Sequence, residues 1–217
     1  MNEKLFGLTN EERDKAAEIL WETARNKTLA CNKCPLSSTR SKVVFGDGNP
    51  KSSLLFIGEG PGADEDEQGL PFVGRAGQLL TQILSAAGID RKDVYITNIV
   101  KCRPPENRVP APEEMICCNE HLQTQLMIMN PALIVLLGNT PLRWILKTTE
   151  GITKLRGRWF QWRGAAVMPM FHPSYLLRNN TSKEGGPKHL TWIDIQEVKK
   201  QWEQYKQTGK LDEDIFG

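Results

Sequence analysis

Short apolar runs without polar interruption constrain the fold of this chain most. They are Leu54–Ile57, Ala132–Leu137 and Ala165–Met170. A strand with one face in water alternates apolar and polar residues, whereas a strand covered on both faces is apolar throughout. Segments with helical periodicity separate these runs, and a further strand is expected at Val94–Val100. The pattern predicts an α/β fold with a mostly parallel, four-stranded central sheet and helices on both faces.

The other elements follow from periodicity, capping residues and turn residues. Helices are expected at residues 10–28, Gly74–Ala87, Pro112–Asn130, Pro141–Leu146 and Lys188–Tyr205. An apolar run at Val43–Phe45 predicts a strand that a turn joins to Ser53–Ile57. On either side of Arg163–Gly164, the segments Arg158–Trp162 and Ala165–Met170 predict a small extra hairpin.

Length and composition suit one globular domain over residues 1–217, with a C-terminal tail from about residue 207. No signal peptide is expected at the start of the chain, and Ala132–Leu137, the longest apolar run, is too short to cross a membrane. We therefore expect a cytoplasmic monomer without membrane association. The net charge of +2 is too small to indicate a nucleic-acid partner, so an acidic partner would need a local basic surface.

Two unusual loops directly follow predicted strands. Gly58-Glu59-Gly60-Pro61-Gly62 comes after Leu54–Ile57, and His172-Pro173-Ser174 comes after the last strand of the hairpin. Because the carboxyl ends of parallel strands meet at one edge of a sheet, both loops are expected to line one crevice. The glycines would let backbone N–H groups approach a ligand, although a plain tight turn has the same pattern. No helix is expected directly behind the glycine-rich loop, and neither a dinucleotide nor a Walker pattern is present.

Five cysteines point to a metal centre. Cys31 and Cys34 have C-x-x-C spacing, Cys102 ends a predicted strand, and Cys117 and Cys118 lie near the start of a helix. Four thiolates suit a zinc ion or an iron–sulfur cluster, and a C-x-x-C pair can also be redox-active. Spacing alone leaves these alternatives open, and one of the two adjacent cysteines is spare.

Four motifs occur in order along the chain. They are Gly58-Glu59-Gly60-Pro61-Gly62, Gly69-Leu-Pro-Phe72-Val-Gly74, Thr97-Asn98-Ile-Val-Lys-Cys102-Arg-Pro-Pro and His172-Pro173-Ser174. With four matching cysteines, this combination strongly resembles the family 4 (thermostable type) uracil-DNA glycosylases, from about Cys31 to about Val198. The resemblance implies the fold of these enzymes and a DNA-repair activity. Such an enzyme flips uracil out of single- or double-stranded DNA and hydrolyses its N-glycosidic bond, leaving an abasic site.

The resemblance also implies a [4Fe–4S] cluster held by Cys31, Cys34, Cys102 and Cys118. Cys118 is preferred to its neighbour because the family places this cysteine one turn before an apolar residue, here Leu122. The cluster is expected to be structural, since it would pin the N-terminal segment to the helical region.

By the same resemblance, a few residues would hold the base. Phe72 would stack on the flipped uracil, with an ordinary core phenylalanine as the alternative. Asn98 would read O4 and N3–H, because an amide offers both donors and an acceptor. Backbone N–H groups at Glu59 and Gly60 would hold O2 or O4. His172 would hydrogen-bond O2 and stabilise the negative charge of the departing uracil.

The group that orients the attacking water stays open. In better-known relatives a carboxylate or an amide follows the second residue of the first motif, where this chain has Gly60. Glu59, Glu65 and Asn107 are the catalytic candidates for this step. The acidic run Asp64–Glu67 is otherwise expected to be a solvated loop.

DNA binding is expected to involve phosphate contacts and one apolar wedge. Backbone amides would contact phosphates together with the side chains of Ser174, Arg75, Arg178 and Lys188. Leu176 or Leu177 would enter the space that the base vacates, with core packing as the alternative for either residue.

Other functions of the same fold remain possible from the sequence. A non-catalytic uracil-DNA-binding module is one, but the presence of both Asn98 and His172 favours activity. A variant that traps the abasic sugar covalently through a histidine on a basic insert is another, yet Arg103–Pro112 contains no histidine and no basic cluster. A zinc-stabilised binding domain is a third alternative.

Overall fold

The computed structural model of the chain describes residues 9–179, 181 and 183–216. Residues 1–8, where no signal peptide is expected, and Gly217, which ends the predicted tail, lie outside this range. In chain order the elements are α1 (Asn10–Leu29), β1 (Asp47–Gly48), β2 (Leu54–Gly58), α2 (Ala63–Gln68), α3 (Arg75–Ala86), β3 (Tyr95–Asn98), α4 (Pro112–Met129), β4 (Leu133–Leu137), α5 (Asn139–Leu146), α6 (Ile152–Leu155), β5 (Phe160–Trp162), β6 (Ala165–Met170), α7 (Pro173–Arg178) and α8 (Pro187–Thr208). Among the described helices, none has the length and apolar character needed to span a membrane.

The strands form one six-stranded sheet in the order β1-β3-β2-β4-β6-β5. The inner strands β3, β2, β4 and β6 are mutually parallel, whereas the edge strands β1 and β5 are antiparallel to their neighbours. The predicted four-stranded parallel centre and the extra hairpin are therefore confirmed. The hairpin turns at Arg163 and Gly164, whose φ angles of 49° and 86° lie in the left-handed region. Two successive positive φ angles match the right-handed twist of hairpin strands.

The uniform apolar character of the inner strands follows from burial on both faces. Along β2, Leu54 and Phe56 pack into one hydrophobic cluster, and Leu55 and Ile57 pack into another. The first cluster includes side chains of α3 and α8, and the second includes side chains of α1 and α4. Helices thus cover both faces of the sheet, as predicted.

The predicted strand Val43–Phe45 is wrong. These residues are buried but form no strand, and β1 instead comprises Asp47–Gly48. The Phe45 carbonyl accepts hydrogen bonds from the side chains of Thr97 and Gln125, so it cannot continue a ladder to a neighbouring strand. Apolar residues here indicate burial and not pairing.

The loops that follow β2 and β6 both continue directly into helices, which corrects two expectations. Helix α2 begins at Ala63, immediately behind the glycine-rich loop, and contains the acidic run predicted as a solvated loop. Asp66 in this run is buried, and its carboxylate accepts from the backbone N–H of Ser41 at 3.0 Å. Helix α7 begins at Pro173, so the segment after His172 is a short helix with the imidazole at its N-cap.

Candidate active site

The carboxyl ends of the parallel strands open onto a cavity of about 370 Å³. The glycine-rich loop after β2 and the His172 loop after β6 both line it, which confirms that they share one edge of the sheet. The predicted site residues on its wall are Glu59, Gly60, Glu65, Phe72, Asn98, Asn107, His172, Ser174 and Arg178. A cavity of this size falls in the range of small-molecule sites.

The protonation of His172 follows from its neighbour Ser174. The Ser174 backbone N–H donates to His172 Nδ1 at 3.1 Å, and the Ser174 hydroxyl lies 2.8 Å from the same nitrogen. A backbone N–H can only donate, so Nδ1 is an acceptor and the neutral ring carries its proton on Nε2. Burial, and then the charge of Arg178, lower the pKa of His172 to about 4. The imidazole is therefore neutral at physiological pH, with one N–H to donate.

Asn98 lines the cavity and carries a buried amide oxygen, Oδ1, without a hydrogen-bond partner among the described residues. It is the last residue of β3 and is 1% exposed. A buried acceptor without a partner costs about 1–3 kcal/mol, so the arrangement favours a ligand that brings a donor.

The space beside Asn98 depends on a missing side chain. A Cβ on Gly58 would collide with Asn98 Oδ1 and would lie 2.6 Å from Phe72 Cζ. The ring centroids of Phe72 and His172 are 5.7 Å apart, with 36° between the ring planes. Phe72 has a φ of 53°, a conformation that side-chain-bearing residues rarely adopt. The ring is 7% exposed and belongs to the same hydrophobic cluster as Phe56, so Phe72 is both a core residue and part of the cavity wall.

Glu59 lines both this cavity and a larger, adjoining one of about 840 Å³. Its carboxylate oxygen Oε2 accepts a hydrogen bond from the Thr140 hydroxyl. Thr140 follows β4, the strand between β2 and β6, so the same edge of the sheet supplies it. Thr140 was not predicted as a site residue, although Gly138-Asn139-Thr140 directly follows an apolar strand, as do the two loops that were predicted.

Glu65 is occupied by backbone groups. One carboxylate oxygen accepts from Val73 and Gly74 N–H at 2.9 and 2.8 Å, and the other accepts from Gly62 N–H at 3.0 Å. These bonds join the start of α2 to the loop that carries Phe72. The arrangement gives Glu65 a role in shaping the cavity and leaves little capacity for orienting a water.

Asn107 lies at the mouth of both cavities. Its Oδ1 accepts from Arg103 Nε at 2.8 Å, and its φ of 56° is left-handed. One of the two lone pairs of the amide oxygen is therefore in use, and this bond ties the side chain to the loop after β3.

The predicted DNA contacts fall in different places. Arg178 lies on the walls of both cavities, whereas Arg75 is exposed at the start of α3 and lines neither. The Ser174 hydroxyl is engaged with His172, so a phosphate contact would compete with that bond. Leu176 is 1% exposed within a hydrophobic cluster, which favours core packing over the wedge role for this residue. Leu177, by contrast, is 38% exposed.

The cysteines gather on the α1–α4 side of the sheet. All five, Cys31, Cys34, Cys102, Cys117 and Cys118, line one small cavity. Among the described residues, no group of three cysteine, histidine, aspartate or glutamate side chains is placed to hold a single metal ion. A [4Fe–4S] cluster does not require its cysteines to converge on one ion, because the four thiolates surround a core of several atoms.

The adjacent cysteines differ in their surroundings. Cys118 is buried, and its sulfur accepts from the Lys101 backbone N–H at 3.2 Å. The Cys117 sulfur lies 3.6 Å from the Lys33 carbonyl oxygen, a contact in which the sulfur must donate as a thiol. Burial raises the pKa of Cys118 to about 12, so this group would ionise only with a compensating positive centre.

Two cationic residues beside the cysteines were missed by the sequence analysis. Arg40 donates to Cys102 Sγ at 3.1 Å and to the Cys31 carbonyl at 2.6 Å. Lys101 is 1% exposed, and burial lowers the pKa of its ammonium to about 7. Nothing in the sequence indicated that Arg40 lies near the cysteines, and for Lys101 the one indication was its position next to Cys102.

Comparison of the sequence with known proteins identifies its family. Residues 45–196 match the profile of the uracil DNA glycosylase superfamily. The type-4 uracil-DNA glycosylase of Thermotoga maritima is 47% identical over 84% of this chain and 94% of its own length. The type-4 enzyme of Sulfurisphaera tokodaii is 40% identical, covering 73% of this chain and 76% of its own length. A type-5 uracil-DNA glycosylase from Pyrobaculum aerophilum is 30% identical, covering 71% and 82%, so the similarity is greater to the type-4 group.

Proposed function

We propose, from the premise that this chain belongs to the uracil DNA glycosylase superfamily, that the cavity between Glu59, Asn98 and His172 is where it excises uracil. The chain is a monofunctional uracil-DNA glycosylase that removes uracil from DNA by hydrolysis in DNA repair. The observation that carries the site assignment is the pairing of an unsatisfied Asn98 oxygen with a neutral imidazole across one cavity.

Asn98 and Phe72 are proposed to recognise the base after it leaves the stack. Asn98 Oδ1 would accept from uracil N3–H, and its amide N–H would donate to O4. Cytosine has no proton on N3 and carries an amino group in place of O4, so it would leave both amide groups mismatched. The absence of any other partner for Oδ1 among the described residues supports this role. Phe72 would stack on the base from the cavity wall.

His172 is proposed to stabilise the leaving group. As the glycosidic bond breaks, positive charge develops on the sugar and negative charge on uracil. The Nε2–H of a neutral imidazole would donate to O2 and follow this developing charge, in the manner of an oxyanion hole. The bond from Ser174 to Nδ1 supports the role, because it fixes both the ring orientation and the tautomer.

Glu59 is proposed to orient the attacking water. It lines the base cavity and the adjoining cavity, so its carboxylate lies where the two spaces meet. Thr140 occupies one carboxylate oxygen and leaves the other able to accept from a water. Glu65 and Asn107, the other candidates, are already engaged by backbone N–H groups and by Arg103.

DNA is proposed to run across the adjoining cavity. Arg178, on the walls of both cavities, would contact a phosphate near the flipped nucleotide. Leu177, exposed on α7, would fill the space that the base leaves. Arg75 and Lys188 would add charge at a greater distance. Single- and double-stranded substrates both fit this proposal.

A [4Fe–4S] cluster is proposed at the cysteine cavity, with Cys31, Cys34, Cys102 and Cys118 as ligands. The donor set fits: all four line the cavity, and N–H groups of Arg40 and Lys101 point at the sulfurs of Cys102 and Cys118. When bound, the cluster would supply a structural cross-link between the segment after α1 and the start of α4. Cys117, whose sulfur donates to Lys33, would stay a free thiol.

We also propose that residues 1–217 act as one domain and as a monomer. The assignment of one domain is supported by the sheet, because all described strands belong to it. A cytoplasmic location is proposed because the substrate is DNA and the relatives named above are prokaryotic.

The substitution His172→Ala tests the site. We expect uracil release to fall by about 10²- to 10³-fold, as on loss of an oxyanion-hole donor, while the protein stays folded and keeps its visible absorbance. The measurement is single-turnover release of free uracil from a uracil-containing oligonucleotide. His189→Ala is the matched control, since His189 accepts from the Gly185 backbone N–H and lines neither cavity.

Three results would contradict these proposals. Wild-type protein that frees no uracil would indicate the non-catalytic alternative. A covalent protein–DNA adduct would indicate the trapping alternative. Full activity of His172→Ala would remove the proposed leaving-group role while leaving the enzyme assignment intact.

A further inference from the structure

Lys101 lies inside the protein beneath the proposed base reader. Its ammonium donates to Thr97 Oγ1 at 2.6 Å, to the Asn98 carbonyl oxygen at 2.9 Å and to Gln125 Oε1 at 2.6 Å. An ammonium has three N–H donors, and each of them has a partner here. Burying an amino group is costly unless it is hydrogen-bonded, so three bonds to Nζ at this place need an explanation beyond filling space.

The Asn98 carbonyl needs a donor because the sheet ends beside it. On one side β3 pairs with β2 as far as Asn98. On the other side β1 pairs only with Ile96 and Tyr95, so no strand among the described residues pairs with the last two residues of β3 there. Lys101 Nζ takes the place of the missing strand's N–H and fixes the peptide that follows Asn98.

The ammonium is itself fixed from α4. Gln125 is fully buried, and its Nε2 donates to the Phe45 carbonyl at 2.9 Å while its Oε1 accepts from Lys101. The carbonyl and the side chain of Asn98 leave the same Cα. Holding the carbonyl therefore limits the directions in which the amide can point.

We propose that Lys101 is a positioning residue for base recognition, which keeps the Asn98 amide aimed at the flipped base. The proposal rests on the proposed function of the cavity, because it assumes that Asn98 reads uracil. Lys101 touches no substrate in this scheme and acts only through Asn98. Its backbone N–H also donates to Cys118 Sγ, so one residue connects the cysteine cavity with the base reader.

A double-mutant cycle tests the proposal. Lys101→Met keeps the length and removes all three donors, and we expect single-turnover uracil release to fall about 10- to 100-fold, the effect of a misplacement of roughly 1 Å. If Lys101 acts through Asn98, the double variant Lys101→Met/Asn98→Ala should be no slower than Asn98→Ala alone. Affinity for an oligonucleotide with an abasic site, which lacks the base, should not change.

A second cycle keeps the test decisive if Lys101→Met does not fold. Gln125→Met removes one acceptor of the ammonium, and we expect a loss of about 3- to 10-fold that is again absent in an Asn98→Ala background. Gln201→Met is the matched control, because Gln201 is an equally buried glutamine on α8, bonded to Glu197 and Asp212. It should lower the Tm without changing the rate well below the Tm.

The outcomes separate this proposal from the one on which it rests. Wild-type rates for Lys101→Met, losses that multiply with Asn98→Ala, or equal effects of Gln125→Met and Gln201→Met would overturn the positioning role. Wild-type rates for Asn98→Ala would instead reject Asn98 as the base reader, and the positioning role with it. Wild-type protein without uracil release would reject the assignment of the activity.

Discussion

At the scale of single residues, the site combines groups whose hydrogen-bonding capacity is settled by their neighbours. Ser174 makes Nδ1 of His172 an acceptor, Thr140 occupies one oxygen of Glu59, and Asn98 Oδ1 is left without a partner. What remains unpaired in each case is the group that the proposed reaction would use. The unpaired acceptor of Asn98 and the free N–H of His172 therefore suit a ligand that has a donor at one edge and an acceptor at the other.

The depressed pKa of His172 predicts a pH dependence of stability. Burial holds the native pKa at about 4, whereas an unfolded histidine titrates near 6.5. Between these values the unfolded chain binds a proton that the native imidazole does not, so unfolding becomes more favourable as the pH falls from about 6.5 to about 4. Above about pH 6.5 the contribution is absent.

His172→Gln removes this contribution. The free energy of unfolding of the wild-type protein should fall more steeply over this window than that of the variant, by an amount on the order of 3 kcal/mol. Urea unfolding at several pH values measures both slopes, and His121 is present in both proteins and cancels. Parallel curves would contradict the predicted pKa.

At the scale of elements, the cavity depends on glycines at the strand ends, where a side chain would collide with other site residues. Gly58 ends β2 beside Asn98, which ends β3, and a Cβ on Gly58 would collide with the Phe72 ring. Gly138, directly after β4, also leaves room for a site residue: its φ is 94°, and a Cβ there would lie 3.1 Å from His172 Cβ. Small residues at these positions are requirements of close approach.

Gly58→Ala should close the base cavity. The added Cβ would meet the Asn98 amide and the Phe72 ring, so we expect uracil release to fall by at least about 100-fold and stability by roughly 1–3 kcal/mol, the usual effect of overpacking. Release kinetics and thermal unfolding measure the two effects. Gly151→Ala is the control, because the nearest atom to its Cβ would be 3.9 Å away. A fully active Gly58→Ala enzyme would contradict the proposed position of the base.

At the scale of the whole molecule, two centres lie on one sheet, the base cavity at the strand ends and the cysteine cavity on the α1–α4 side. The proposed cluster ligands come from segments far apart in sequence, Cys31 and Cys34 after α1, Cys102 after β3 and Cys118 in α4. A cluster held by them would tie α1 and the segment behind it to the rest of the chain.

Cys118→Ser and Cys117→Ser should therefore differ. The first variant should lose iron and visible absorbance, and its Tm should fall by about 5 °C or more, the shift that roughly 2 kcal/mol causes in a chain of this size. Limited proteolysis should then cut the segment around Cys31 and Cys34. The second variant should keep its iron and its Tm. The reverse result would exchange the roles of the two cysteines.

Much of the fold could be predicted because it depends on local pattern. Uniformly apolar runs implied strands covered on both faces, and the ends of those strands implied a shared crevice. The prediction of a strand at Val43–Phe45 was wrong because a buried loop and a buried strand can have the same apolar sequence. Helices α2 and α7 were missed because they are short and begin with residues that also occur in loops: α2 follows Gly62 and is mostly acidic, and α7 begins with Pro173 and Ser174.

The sequence by itself determined the parallel sheet, the two loops at its edge and the motifs of the family, since period and residue type are properties of the chain order. Only the tertiary structure decided which polar groups are satisfied. Glu65 and Asn107 are engaged, Leu176 is in the core, and Lys101 bonds to Asn98. The physical reason is that hydrogen-bond capacity and burial depend on neighbours distant in sequence, which only folding brings together.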